Sequence, residues 1–294
     1  HIYASIIMRF CNPRRTIHPN KPGPLLPASL DIHGEIISEN IKIKVPITTL
    51  RYTSKREYDT LQKIQKVQVF ALSTYQGRYN ETPGKDSTNG CTVISPLVAV
   101  NHLTSNGGGI SDIMIENIID NVAPSILTRV RRKLGLSGNA LIIPSDVHDF
   151  LVDEKILKQE MFVGVCGGNL LDIKHVNEFL NLLENEEVPE SRDEEKKDSS
   201  KKLGAALFFH EHVVSILKVV LPDGSSWYDL VDSLPRRKND KLGGTRTRCK
   251  DRDSLQSVLQ WYACDKFSPS DNQYIDTNDW DDVMCNFDPR VFQA

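Results

Sequence analysis

One segment restricts the fold of this chain more than any other. Residues 212–221 (HVVSILKVVL) and 227–231 (WYDLV) are largely apolar, and Pro222-Asp223-Gly224-Ser225 lies between them. Two β-prone runs joined by an Asp-Gly turn read as a hairpin, since glycine supplies the backbone conformation that tight turns need. With a further strand expected over Ala205–Phe209, the C-terminal part carries an antiparallel β block.

The middle of the chain has a different period. Val93, Ile94, Leu97, Val98, Val100 and Leu103 recur at helical spacing and stop at Ser105-Asn106-Gly107-Gly108-Gly109. Asp112 to Leu134 is amphipathic, with Pro124 expected to kink or split it. Further helices are expected from Ser145 or Asp146, around Val176, Phe179, Leu180 and Leu183, and from a cap at Asp253 through Tyr262. Phe162–Cys166 reads as a short buried strand. Helices and antiparallel strands that occupy separate stretches make an α+β layout, not the alternation of a parallel sheet.

The ends and one insertion look different again. Residues 1–75 read as a β-rich extension or small module: 41–47 (IKIKVPI) alternates, Val67–Leu72 is a second strand, and 54–66 is a short helix or charged loop. Residues 76–267 form the main domain. Within it, 184–202 (ENEEVPESRDEEKKDSSKK) has too little apolar surface to offset the entropy of ordering, and is expected to be disordered. Residues 268–294 read as a polar, loosely held tail. The chain begins His1-Ile2, as after trimming or removal of a leader. An N-terminal histidine can ligate copper in a secreted oxidase, but that needs a β-sandwich, against which the helical patterns argue.

Charge narrows the partners. The formal net charge is −3 and the basic residues are scattered, so nucleic acid is not an expected partner. A compact basic cluster, Arg129 with Arg131 to Lys133, suits the C-terminal end of a helix. No run approaches 18 apolar residues, so no membrane span is expected. Six cysteines form no CxxC pair, and none is spaced as a zinc ligand. In a chain able to bury a core they read as free thiols of a reducing compartment, cytoplasmic or nuclear.

Three places carry chemistry. Cys91 sits where a glycine-containing turn meets a helix N-terminus; unpaired N–H groups and the helix dipole favour its thiolate, and the same N–H groups can hold an oxyanion. Gly90 would let a substrate backbone approach. His210 and His212 share one face of a strand; as a metal pair they lack an evident third ligand, and either could act as a base. Asp229 and Asp232 on the return strand are three apart and face opposite ways, so one of them can orient a histidine.

These residues carry a resemblance. His212-Val213-Val214-Ser215-Ile216 through Leu230-Val231-Asp232-Ser233-Leu234 resembles the His-to-Asp hairpin of the SUMO-protease and MINDY-type deubiquitinase families. Asn89-Gly90-Cys91, followed by Pro96-Leu97-Val98-Ala99, is similar to the MINDY-type nucleophile motif and to the Asn-Thr-Cys of ubiquitin-specific proteases. The order Cys, His, Asp fits papain and MINDY-type peptidases and not SUMO proteases. The resemblance spans residues 70–265 in layout. It implies a papain-like catalytic domain over 76–267, in which the helical block opened by the nucleophile packs on the antiparallel sheet bearing the histidine.

It further implies a cysteine peptidase with Cys91 as nucleophile, His212 as base and Asp232 as its orienter. The implied substrate is a protein or peptide, including ubiquitin or a ubiquitin-like protein, and no cofactor is needed. One position departs from the pattern. These families place Gln or Asn five or six residues before the cysteine as oxyanion donor; here Asp86 and Lys85 stand there, and an ionised Asp accepts but cannot donate. Asn89 or Gln76 could substitute. Two alternatives stay open: a transglutaminase or acyltransferase on the same triad, and a binding module with a dead site.

Overall fold

The structure is a computed structural model, describing residues 35–38, 41–44, 47–106, 108–137, 140, 142–184, 202–209, 212–221, 223–238, 241–265 and 286–293. Its described part is mixed helix and antiparallel sheet, as the patterning predicts. No helix among the described residues is long and apolar enough to cross a membrane.

β1 (Glu35–Ser38) and β2 (Ile41–Lys44) pair antiparallel with each other. After them the expected β-rich extension gives way to α1 (Ile47–Lys63). Leu50, Tyr58 and Leu61 bury one stripe of α1, and Tyr58 stacks on Trp261 at 3.9 Å between centroids. That stripe is too sparse to stand out among the charged residues around it. β3 (Val67–Ala71) is an edge strand of the main sheet, paired with β9. No boundary near residue 75 therefore divides the described fold; residues 1–34 lie outside the described residues.

α2 (Cys91–Thr104) is buried on nearly every side. α3 (Asp112–Asn117) and α4 (Ala123–Leu134) are joined by a π-helical turn at Ile118–Val122. Pro124 has no N–H to offer the carbonyl of Asp120, and Lys85 Nζ donates to that carbonyl instead, at 2.9 Å. α5 (Pro144–Asp153) starts on its proline. β4 (Phe162–Val165) lies at a sheet edge with Val165 exposed, so this strand is not the buried one expected. β5 (Gly168–Asn169) and α6 (Ile173–Glu184) follow. The region expected to be disordered lies, from 185 to 201, outside the described residues.

β6 (Leu203–Phe209), β7 (His212–Val220), β8 (Ser226–Lys238) and β9 (Lys241–Cys249) form a meander, the β7–β8 turn closed by Leu221 N–H donating to Ser225 O and by Gly224 at φ 82°. α7 (Arg252–Asp265) is capped not by Asp253 but by Asp251. The Asp251 carboxylate accepts from Ser254 N–H and the Ser254 hydroxyl accepts from Asp251 N–H, a capping box displaced by two residues from the expected cap.

The supposedly loose tail ends in β10 (Asn286–Gln293), inserted between β6 and β4. Pro289 disguises it in the sequence. It is tolerated because it falls between the residues that pair with β5 (286 and 287) and those that pair with β4 (290 to 292). The described sheet runs β3-β9-β8-β7-β6-β10-β4, antiparallel throughout, with β5 beside β10. Helices cover both faces. Leu207, Val214, Ile216 and Leu230 face α1, α6 and α7, while their neighbours Ala206, Val213, Leu217 and Val231 face α2, α4 and α5.

Candidate active site

Cys91 is the first residue of α2, and Gly90 before it offers no side-chain cap. The N–H groups of Val93 and Ile94 already donate to Gly90 O, whereas those of Cys91 and Thr92 meet no acceptor among the described residues. Glycine at 90 answers a local crowding: a Cβ there would sit 2.7 Å from Ser87 O. The turn before the cysteine, not room for substrate, is what requires it. Asn89 takes a left-handed conformation, φ 57°, which asparagine tolerates, and its carbonyl accepts from the Thr92 hydroxyl.

His212 is the first residue of β7 and is 5% exposed. Its Nε2 lies 2.7 Å from Oδ1 of Asp232, and the Cys91 side chain interacts with the same ring. With Nε2 turned to Asp232, Nδ1 is the nitrogen left for the sulfur. Burial works against charging this imidazole, but the Asp232 charge and hydrogen bond, joined by Cys91, outweigh it and hold its pKa above the ordinary value. His210 lies outside the described residues.

Asp232 is fully buried, and a carboxylate there must be well supplied with donors. Its Oδ1 also accepts from Leu234 N–H at 2.9 Å; its Oδ2 accepts from the Tyr262 hydroxyl at 2.9 Å and faces Arg236 Nε at 3.5 Å. Asp229 has the other fate. It points away into an ion-pair group with Arg246 and Arg248, Arg246 also reaching Asp112 on α3. Of the two candidate acids, Asp232 is the one beside the histidine.

Two serines lock helix to strand. Ser95, one turn beyond Cys91, donates to Val213 O at 2.9 Å, and Ser215 donates back to Ser95 O at 3.1 Å. Val213 follows His212 directly, so this reciprocal pair fixes the height of Cys91 against the imidazole. The signal in the sequence was a serine within a largely apolar stretch, CTVISPLVAV, which needs a partner once buried. Tyr262 and Arg236 offered no comparable signal.

The loop entering α2 is tied as firmly. Gly77 N–H donates to the Ser87 hydroxyl, Ser87 N–H to Asn80 Oδ1, and Gly90 N–H to Ser87 O, all at 2.8 Å. Asp86 accepts from Thr88 and from Arg131, whose other nitrogen donates to Thr88 O. Burial alone would raise the Asp86 carboxyl, but these donors hold it below the usual range. Asp86 is thus a strut of the loop. Gln76 is drawn in from both ends: its N–H donates to Ser233 O, its side-chain oxygen accepts from the Ser233 hydroxyl at 3.1 Å, and Gly77 beside it is bonded to Ser87.

The other described thiols are set up differently. Burial, then the charges of Glu178 and Asp288, push Cys166 up to about 12, and burial also raises Cys249. Cys91, Cys166 and Cys249 are free thiols, while Cys11 and Cys285 lie outside the described residues. Among the described residues no three His, Cys, Asp or Glu side chains gather as metal ligands. The site is nearly closed, with Cys91 only 4% exposed. What the group can do chemically is pass the sulfur's proton to an imidazole whose cation a buried carboxylate stabilises. No protein-family model and no curated protein sequence matches this chain.

Proposed function

We propose that this chain is a cysteine peptidase of papain-like layout that hydrolyses a peptide or isopeptide bond. One observation carries the reading: Cys91, at a helix N-terminus whose first N–H groups meet no acceptor among the described residues, interacts with a histidine whose Nε2 lies 2.7 Å from a buried carboxylate. The Cys91 thiolate attacks the carbonyl carbon while Nδ1 of His212 carries the proton. The C–N bond then breaks as the imidazolium protonates the leaving amine, leaving a thioester. Water, deprotonated by the same imidazole, attacks the thioester and releases the acid and the thiol. Asp232 keeps Nε2 protonated and the ring in place.

We assign the developing oxyanion two donors. One is the backbone N–H of Cys91. The other is a carboxamide, for which Gln76 suits better than Asn89: Ser233 holds its oxygen, so its NH2 group is the end left to donate. Resemblance suggests ubiquitin or a ubiquitin-like protein as substrate, and a nucleophilic thiol suits a reducing compartment, cytoplasmic or nuclear. A peptide or ubiquitin-like probe ending in an electrophile should label the wild-type chain and not Cys91→Ala, with the circular dichroism of the two unchanged. Equal labelling of Cys91→Ala removes Cys91 from the role.

The near-complete burial of Cys91 and His212 favours one second reading, a closed, non-catalytic binding module. Inertness of Cys91 toward small thiol reagents in the folded protein would select it.

A further inference from the structure

Behind the triad, on the side away from Cys91, Asp232 is gripped by residues that no step of the proposed reaction uses. Tyr262 reaches it from α7, and Arg236 from further along β8. The Arg236 guanidinium lies over the ring of Tyr262, 5.2 Å from its centroid, and over that of Trp261 at 5.7 Å; Trp261 stacks in turn on Tyr58 of α1. Both residues line a small cavity on this face of the sheet, with Leu230, Trp261 and Tyr58.

We infer that Tyr262 and Arg236 are positioning residues for this site: by holding Oδ2 of Asp232 they keep Oδ1 turned to His212 and limit the negative charge the imidazolium feels. The inference rests on the reading of Cys91, His212 and Asp232 as a working triad. A carboxylate bound through one oxygen can still rotate about its Cα-proximal bonds, and a grip on the second oxygen stops that. Each donor to a carboxylate also draws off charge and makes it a poorer base. Among the described residues, the charged and titratable groups that face the His212–Asp232 couple are Cys91 from α2, Tyr262 from α7 and Arg236 from β8 itself. Tyr262 stays a neutral donor, since burial and then the Asp232 charge push its pKa well above the ordinary value.

Removing either grip should therefore make Asp232 more basic and strengthen its hold on the His212 proton. The test is the rate of Cys91 alkylation by iodoacetamide against pH, read by peptide mass mapping, in the wild-type chain, Tyr262→Phe, Arg236→Gln and Arg236→Lys. Beside the step of the thiol itself, the wild-type profile should show a second step that reports loss of the imidazolium proton. In Tyr262→Phe and Arg236→Gln this imidazolium step should move up by about half a unit, and Arg236→Lys should stay near wild type. A two-step wild-type profile that neither variant moves overturns the inference and leaves the triad standing. A wild-type profile with the single step of a lone thiol overturns the triad, and the inference with it. Should Tyr262→Phe fail to fold, Arg236→Gln decides, since its part-exposed side chain lines the cavity and can be trimmed without crowding the core.

Discussion

His212 and His102 are both buried, and their surroundings push them in opposite directions. His102 on α2 donates from Nε2 to Lys218 O at 2.8 Å and accepts at Nδ1 from Ile110 N–H. Burial, reinforced by the charges of Lys202 and Arg246, lowers its pKa to about 4, so it is held neutral. A group depressed in the folded state stabilises fully above its unfolded pKa of 6.5 and loses that contribution as pH falls toward 4. The loss amounts to about 3 kcal/mol at full protonation. Urea unfolding at pH 7 and pH 4.5 should show a smaller acid loss for His102→Gln than for wild type; identical losses would mean His102 is not the acid-sensitive group. His212, raised by Asp232 and Cys91 against its burial, has the opposite sign. Its contribution is present below pH 6.5 and fades as pH rises through its folded pKa, so His212→Gln should flatten the alkaline decline of stability.

At the scale of elements, the site depends on α2 and β7 keeping their register. Ser95→Ala should cost about 1–2 kcal/mol, because it removes a buried donor from Val213 O, and should slow Cys91 alkylation more than global stability alone would explain. An unchanged alkylation rate would show that the serine pair does not place the cysteine. Gly90→Ala should be worse, since its Cβ would lie 2.7 Å from Ser87 O and the turn must shift at the residue before the nucleophile. Much of this level was legible in the sequence. The hairpin announced itself through its turn, and Cys91, His212 and Asp232 stood out through their positions on elements that periodicity could outline. The partners that hold them did not. Ser95 with Ser215, Gln76 with Ser233, and Tyr262 with Asp232 are pairs far apart along the chain, and only the assembled layers decide who meets whom.

For the molecule as a whole, the least legible feature is how its ends are used. α1 and β3 close one edge of the described sheet, and β10 is inserted near the other, where Phe287, Val291 and Phe292 are buried. Residues 286–294 read as polar because Asp288, Pro289 and Arg290 interrupt the apolar alternation. Ending the chain at residue 285 should forfeit about 5 kcal/mol or more of apolar burial and bare the edge of β6. That is comparable with the whole stability of a typical domain. Thermal unfolding should then show no cooperative transition, whereas a retained one would mean β10 is an accessory. The proposed site is itself a whole-molecule product: α2, β7 and β8 bring Cys91, His212 and Asp232 together, and α7 brings Tyr262 behind them. As the proposed nucleophile, Cys91 should be the most reactive of the described thiols. Competitive labelling with limiting iodoacetamide at pH 6 should modify nearly buried Cys91 before the more exposed Cys166, and His212→Ala should abolish that preference. Labelling of Cys166 first, or a Cys91 rate indifferent to His212, would contradict the account.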